Sequence, residues 1–164
     1  MARKKGFNQV RISGNEPTLH RSHLLKVLDL IPEDIRFILE TNGILIGNDP
    51  SYAKDLSRFP NLNVRVSLKG ACPEDFARLT TARPEAFGYQ LKALEHLLRE
   101  GVDCFPAVIT DFSSQEAIKN LRQELKMIRP DFEDFEEEEL ILYPFILDNI
   151  QKTGVSLINN PNEQ

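Results

Sequence analysis

The chain alternates short apolar runs with longer stretches in which apolar residues recur at helical spacing. Residues 9–13 (QVRIS) predict a strand, because branched apolar side chains alternate with polar ones. From residue 21, Leu24, Val27, Leu28 and Ile31 recur three and four apart, the spacing of a helix face, and Pro32 closes that helix. Residues 36–40 (RFILE) predict a second strand, apolar enough for burial on both faces. Asp49 is placed to cap a helix with Pro50 at its first position and Tyr52, Leu56 and Phe59 facing inward. Residues 63–67 (NVRVS) predict a third strand.

The pattern continues beyond residue 70. Pro73 opens a short helix carrying Phe76 and Leu79, and Pro84 opens a longer one with Phe87, Leu91, Leu94 and Leu98 in register. Gly101 is placed to end it. Residues 102–109 predict a fourth strand, in which Pro106 implies an edge position or a bulge. Ser113 and Glu116 fit a capping box, ahead of a helix marked by Ile118, Leu121, Leu125 and Ile128 and stopped at Pro130. Residues 140–143 (LILY) predict a fifth strand and residues 144–152 a last helix, while the asparagine-rich tail from about residue 157 to 164 reads as disordered. Alternating strands and helices predict parallel strands joined by helical crossovers, hence an α/β barrel or an open sheet. With no repeat and no low-complexity linker, a single domain over residues 1–164 is the simplest organisation.

Composition narrows the function classes. A chain of 164 residues, 41% hydrophobic and 27% charged, suits one soluble domain with a sizeable core. The net charge of −5 gives no global basic field, so no nucleic-acid partner is expected. The basic run Arg3-Lys4-Lys5 reads as solvated, and so does the acidic run at residues 131–139, which has no glycine to fold its carboxylates around an ion. Cys72 and Cys104 stand far apart and make neither a disulfide framework nor a zinc site, so they read as buried or incidental thiols. No apolar stretch of about 20 residues and no signal-peptide core is present, which leads to an expectation of no membrane and a reducing cytosol.

In parallel α/β folds, ligands sit at the carboxyl ends of the strands. That rule selects Ser13-Gly14-Asn15-Glu16-Pro17, Glu40-Thr41-Asn42-Gly43, Ser67-Leu68-Lys69-Gly70, Thr110-Asp111 and Tyr143-Pro144. Gly14 permits positive φ and close approach of a ligand to the backbone. Glu16, held before a proline, offers a carboxylate to an ammonium group, and Lys69 a point charge to a carboxylate or phosphate. Thr41, Asn42 and Ser67 can hydrogen-bond neutral groups. A ligand with both an ammonium and a carboxylate, such as an amino acid or its conjugate, suits that set. The same residue types also serve ordinary strand-to-helix turns, so each segment alone reads either way. Glu16 and Glu40 together permit a further reading as an acid–base pair of a hydrolase, which requires their carboxyls on the order of 5–10 Å apart in one cavity. His20 and His23 read as exposed helix positions and His96 as structural, and neither a G-x-S-x-G elbow nor a P-loop occurs.

Three of these segments together resemble the radical S-adenosylmethionine superfamily. RISGNEPTL (residues 11–19) is similar to the GGEP segment after that family's second strand, with Asn15 where a second glycine is usual. ETNG (residues 40–43) is similar to the end of its third strand. SLKG (residues 67–70) is similar to the fourth-strand segment read as DLK in activating enzymes of the pyruvate formate-lyase type. PEAFGYQLKALEHLLREGVD (residues 84–103) resembles the family's long helix and following strand. The resemblance runs from about residue 8 to about residue 150 and implies a partial (βα)6 barrel, with about five parallel strands here and the first βα unit missing, so that the barrel spans about residues 7–153.

The resemblance also implies that S-adenosylmethionine is bound, with Ser13, Gly14, Asn15, Glu16 and Pro17 at the methionine amino group and Glu16 as its charged partner. Thr41 and Asn42 would lie beside the cofactor, Ser67 and Lys69 at its carboxylate or ribose, and Val108 and Tyr143 near the adenine. In an intact parent a [4Fe–4S] cluster held by a CxxxCxxC loop would supply the electron that makes a deoxyadenosyl radical, acting on a small molecule or a protein glycyl-radical site. That loop is absent from these 164 residues, so the chain is expected to be a portion of such an enzyme that lacks radical chemistry alone, the alternative being a non-catalytic module that binds S-adenosylmethionine or another small molecule. The unpaired edge left by a missing first strand leads to an expectation of a homo-oligomer.

Overall fold

The computed structural model describes residues 6–138 and residue 152. Its elements run β1 (Gln9–Ile12), α1 (Arg21–Asp29), β2 (Arg36–Thr41), α2 (Ile44–Asn48), α3 (Pro50–Leu56), β3 (Leu62–Lys69), α4 (Pro73–Thr80), α5 (Phe87–Arg99), β4 (Asp103–Ile109), α6 (Gln115–Ile128) and β5 (Glu136–Glu138). Short 3-10 turns lie at Pro17–His20, Pro84–Ala86 and Pro130–Asp134. The described strands form one sheet in the order β1-β2-β3-β4-β5, and the pairings β1·β2, β2·β3 and β4·β5 are parallel. Sheet order equals chain order, which is what βα units wound in one direction produce. No helix among the described residues is long and apolar enough to cross a membrane.

The chain divides into two compact units, Met1–Ser67 with Gly88–Pro106, and Leu68–Phe87 with Ala107–Gln164. In the first unit, strand alternation separates two chemistries. Phe37 and Leu39 of β2 and Val64 and Val66 of β3 are buried, and Leu24, Leu28, Ile46, Tyr52, Leu56, Ala93, Leu94 and Leu97 from the helices complete this core. Each such large side chain contributes about 1.5–3 kcal/mol on burial. The other face is polar. Glu40 lies opposite Arg65 in the register and pairs with it at 3.1 Å, and Glu40 also pairs with Arg11 of β1. On the same face Asn63 donates to the Asp103 carboxylate. Burial on both faces holds for Phe37, Ile38 and Leu39, but not as an apolar strand throughout.

Two helix readings shift. The buried stripe of α5 is Phe87, Gln90, Ala93, Leu94 and Leu97, while Leu91 and Leu98 are only half-buried. The helix α2 has no counterpart in the sequence reading. It starts because Gly43 turns the chain with φ 77°, and it lies so close to α5 that a Cβ on Gly47 would stand 1.8 Å from the Tyr89 carbonyl oxygen. Asp49 caps α3 as expected, accepting from the Ser51 amide at 2.9 Å, with Pro50 at the first position.

In the second unit, Phe76 and Phe87 stack with ring centroids 6.2 Å apart, and Ile118, Leu121 and Leu125 of α6 are buried. The cap of α6 is Ser114, whose hydroxyl accepts from the Ala117 amide at 3.2 Å, and not Ser113. The Ser113 hydroxyl is buried and accepts from the Ala71 amide at 3.0 Å. In the acidic run Asp131, Asp134, Glu136 and Glu137 are exposed, as expected, but the backbone forms a 3-10 turn and a strand instead of a plain loop. Phe132 and Phe135 are buried and pin it down under the Arg129 and Arg122 guanidiniums, while Lys126 pairs with Glu133 at 2.8 Å and Arg122 with Glu137 at 2.6 Å. This anchoring yields β5 from the run itself. The strand expected at residues 140–143 lies outside the described residues, as does the helix at 144–152 except for Lys152, which is helical. Pro106 does not mark an edge strand, since β4 lies between β3 and β5 in the sheet order. Pro106 precedes the residues that pair with β5, which are Ala107, Val108 and Ile109.

Alanine is normally favoured over glycine in a helix by roughly 1 kcal/mol. At residue 47 the sign reverses, because the added methyl meets backbone. Gly47→Ala is expected to lower stability by about 2–3 kcal/mol in urea denaturation; a gain in stability would refute the close approach of α2 and α5.

Candidate functional site

The site in the first unit is built around one carboxylate. After β1 the chain passes through Ser13, Gly14 and Asn15, all exposed, with Gly14 at φ 94° and Asn15 at φ 50°. Two left-handed residues in succession reverse the backbone, and asparagine is the side chain that tolerates this region best after glycine. Asn15 therefore supplies the conformation of the glycine it replaces. A Cβ on Gly14 would meet nothing within 4 Å, so the turn faces open space.

Glu16 follows in extended conformation and caps the 3-10 turn at Pro17–His20. Its Oε1 accepts from the Thr18 amide at 3.0 Å, the Thr18 hydroxyl at 2.6 Å and the Thr41 hydroxyl at 2.8 Å, and its Oε2 accepts from the Asn42 amide at 2.7 Å. Thr18 and Thr41 are almost fully buried. The carboxylate thus ties the loop after β1 to the end of β2, and Oε2 keeps acceptor capacity beyond its single donor. Behind this tie, the Tyr52 hydroxyl donates to the Thr18 carbonyl at 2.9 Å. Burial pushes the Tyr52 pKa up to about 12, and the Arg21 guanidinium lies 4.7 Å over its ring.

Thr41 and Asn42 have specific local partners. The Thr41 hydroxyl also accepts from the Gly43 amide at 3.1 Å, and Asn42 Oδ1 accepts from the Ile44 amide at 2.9 Å, opening α2. The Asn42 carbonyl accepts from Gln90 Nε2 at 2.8 Å, and the Ser67 carbonyl accepts from the same nitrogen at 3.0 Å. Gln90 is fully buried on α5 and was missed by the sequence reading, which followed leucines. The signal was present, for Gln90 stands three residues after Phe87 and three before Ala93, on the inward stripe.

The first unit therefore gathers Ser13, Gly14, Asn15, Glu16, Pro17, Thr41, Asn42 and Ser67. Lys69 and Val108 belong to the second unit. Lys69 Nζ pairs with Glu138 Oε2 at 3.2 Å, and Val108 is wholly buried in β4. Tyr143 lies outside the described residues. Glu40 does not join Glu16. Its neighbour Thr41 meets Glu16 from the opposite side of β2, and Glu40 is held by Arg65 and Arg11. Neither carboxylate is left free to work as one member of a hydrolytic pair. His96 Nδ1 contacts the Ile46 carbonyl at 3.0 Å, a structural role, and His20 and His23 are exposed.

The cysteines do not fit an iron–sulfur cluster. Cys104 is buried inside β4, Cys72 stands at the N-cap of α4, and they are not joined in a disulfide. Among the described residues no group of three or more histidine, cysteine, aspartate and glutamate side chains could hold a metal ion. Burial raises the Cys72 thiol above its ordinary pKa, the opposite of what a metal-binding or nucleophilic thiolate needs.

The model of the radical SAM superfamily matches residues 1–125. The chain belongs to the radical S-adenosylmethionine superfamily. No curated protein matches it. Among solved structures it is similar to Streptococcus suis SuiB bound to S-adenosylmethionine, at 20% identity and a TM-score of 0.65 over 92% of this chain and 38% of that one. A second structure of Streptococcus suis SuiB gives 19% identity and a TM-score of 0.66 over 95% of this chain and 39% of that one. The chain thus spans under two-fifths of the length of these structures. The likeness shows the fold, a partial (βα) barrel.

Two outcomes are expected. Asn15→Gly should leave stability unchanged, while Asn15→Val should cost about 1–2 kcal/mol in thermal or urea denaturation; equal effects would refute the left-handed assignment. Cys72 should react with iodoacetamide more slowly than a free cysteine near pH 8, its rate still rising above the pH at which an ordinary thiol levels off. Fast alkylation at neutral pH would refute the raised pKa.

Proposed function

We propose that this chain is the part of a radical S-adenosylmethionine protein that binds S-adenosylmethionine at the carboxyl ends of its strands. The observation that carries the reading is the Glu16 carboxylate, whose four donors fix the loop after β1 onto the end of β2. That arrangement leaves the Gly14–Asn15 backbone facing open space in a fixed shape. An incoming ammonium group meets the remaining acceptor capacity of Oε2 and the loop carbonyls. Thr41 and Asn42 hold the loop in position, and Ser67 at the end of β3 is assigned to the cofactor's carboxylate or ribose.

The cofactor's chemistry in this superfamily is the supply of a deoxyadenosyl radical. Cys72 and Cys104 do not fit the cluster that chemistry requires, so the role assigned to these residues is binding and orientation.

Titration calorimetry with S-adenosylmethionine tests the reading. Binding is expected for the full chain, with loss of measurable binding in Glu16→Ala. No heat at millimolar S-adenosylmethionine would overturn it.

A further inference from the structure

We infer that Gln90 is a positioning residue that holds the carboxyl ends of β2 and β3 apart and so sets the loop that Glu16 gathers. The pairing of β2 with β3 runs from Phe37 opposite Leu62 to Thr41 opposite Val66. In that register Asn42 comes next, opposite Ser67. The ladder stops there, and the carbonyls of those two residues both turn to one side-chain amide, Gln90 Nε2, at 2.8 and 3.0 Å. The strands then part. β3 continues to Lys69, while the chain leaving β2 turns at Gly43 into α2.

Asn42 is consequently held from three directions, none of them β3. Gln90 takes its carbonyl, Glu16 Oε2 takes its amide, and the Ile44 amide takes its side chain. Gly43 is confined as well, since a Cβ there would stand 2.8 Å from Val66 Cγ1 and 3.1 Å from Ala93 Cβ. A continuous run of hydrogen bonds thus leads from α5 through Asn42 and Glu16 to Thr18. Packing alone does not call for an amide at this place. Gln90 is fully buried and its Oε1 has no hydrogen-bond partner, a cost that an apolar side chain of equal length avoids. What the amide adds is a pair of donors at the point where two neighbouring strands must separate. A ligand at the carboxyl ends of parallel strands needs that separation.

The effect on cofactor affinity rests on the binding proposed above; the effect on the loop does not. The experiment reads both in the full chain. Amide hydrogen exchange is measured at Asn42 and, as reference, at Val64 in the middle of β3, and calorimetry gives the S-adenosylmethionine affinity. Gln90→Met, of the same length but without donors, is expected to raise the Asn42-to-Val64 exchange ratio at least tenfold and to weaken the cofactor about tenfold. Leu97→Ala, which removes a buried side chain from the same helix, is expected to lower the melting temperature while leaving the ratio unchanged. In Gln90→Glu the ratio should return toward the wild-type value as pH falls from about 8 to 6, because a buried carboxyl facing carbonyls takes up a proton and regains one donor. An unchanged ratio in Gln90→Met, or a flat pH profile in Gln90→Glu if the methionine variant does not fold, overturns the inference. If the wild-type chain binds no S-adenosylmethionine, the proposed function falls and the exchange ratio alone judges Gln90.

Discussion

Everything at the candidate site depends on how the Glu16 carboxylate is shared. Four donors from Thr18, Thr41 and Asn42 converge on its two oxygens. Charge-assisted hydrogen bonds of this kind are roughly twice as strong as neutral ones, and here they join segments 25 and 26 residues apart. Without that shared anion, the loop after β1 would be an exposed turn with left-handed residues and no fixed relation to β2. The carboxylate is therefore an organiser of the backbone. A sequence reading sees a glutamate before a proline and assigns it a ligand; the structure shows how much of its capacity the protein itself uses.

The sheet of the first unit has a comparable division. The apolar residues of β2 and β3 are strong enough to be read from sequence as strands, and Phe37, Leu39, Val64 and Val66 form the face that the helices cover. The second face carries Arg11, Glu40, Asn63, Arg65 and Asp103, whose charges neutralise one another across neighbouring strands. Each of these residues looks like an interruption when its strand is read alone. Only the register shows that the interruptions are partners.

Strand and helix order, the glycine and proline boundaries and the segments around Glu16, Thr41 and Ser67 were legible because each rests on local chemistry. Asp49 before Pro50 names its own helix start, and the GNEP turn carries its backbone demand in two residues. What escaped was set by distant partners. Gln90 is polar in an apolar stripe, and its role exists only because two strand ends come within reach. Ser113 and Ser114 are chemically equivalent in sequence, and the Ala71 amide decides which of them is left to cap α6. The acidic run became ordered because two phenylalanines inside it found cover, although its charge count argued for solvent.

The contact between Gly47 and the Tyr89 carbonyl has a consequence for how this chain can drift in sequence. Tyr89 adjoins Gln90, so residue 47 works as a gauge for the axial placement of the helix that carries the bridging amide. A larger residue there would push the helix by a fraction of a turn's rise and move Gln90 relative to both carbonyls at once. Tolerance to substitution at a helix position that carries no side chain is thereby tied to the geometry of the strand ends.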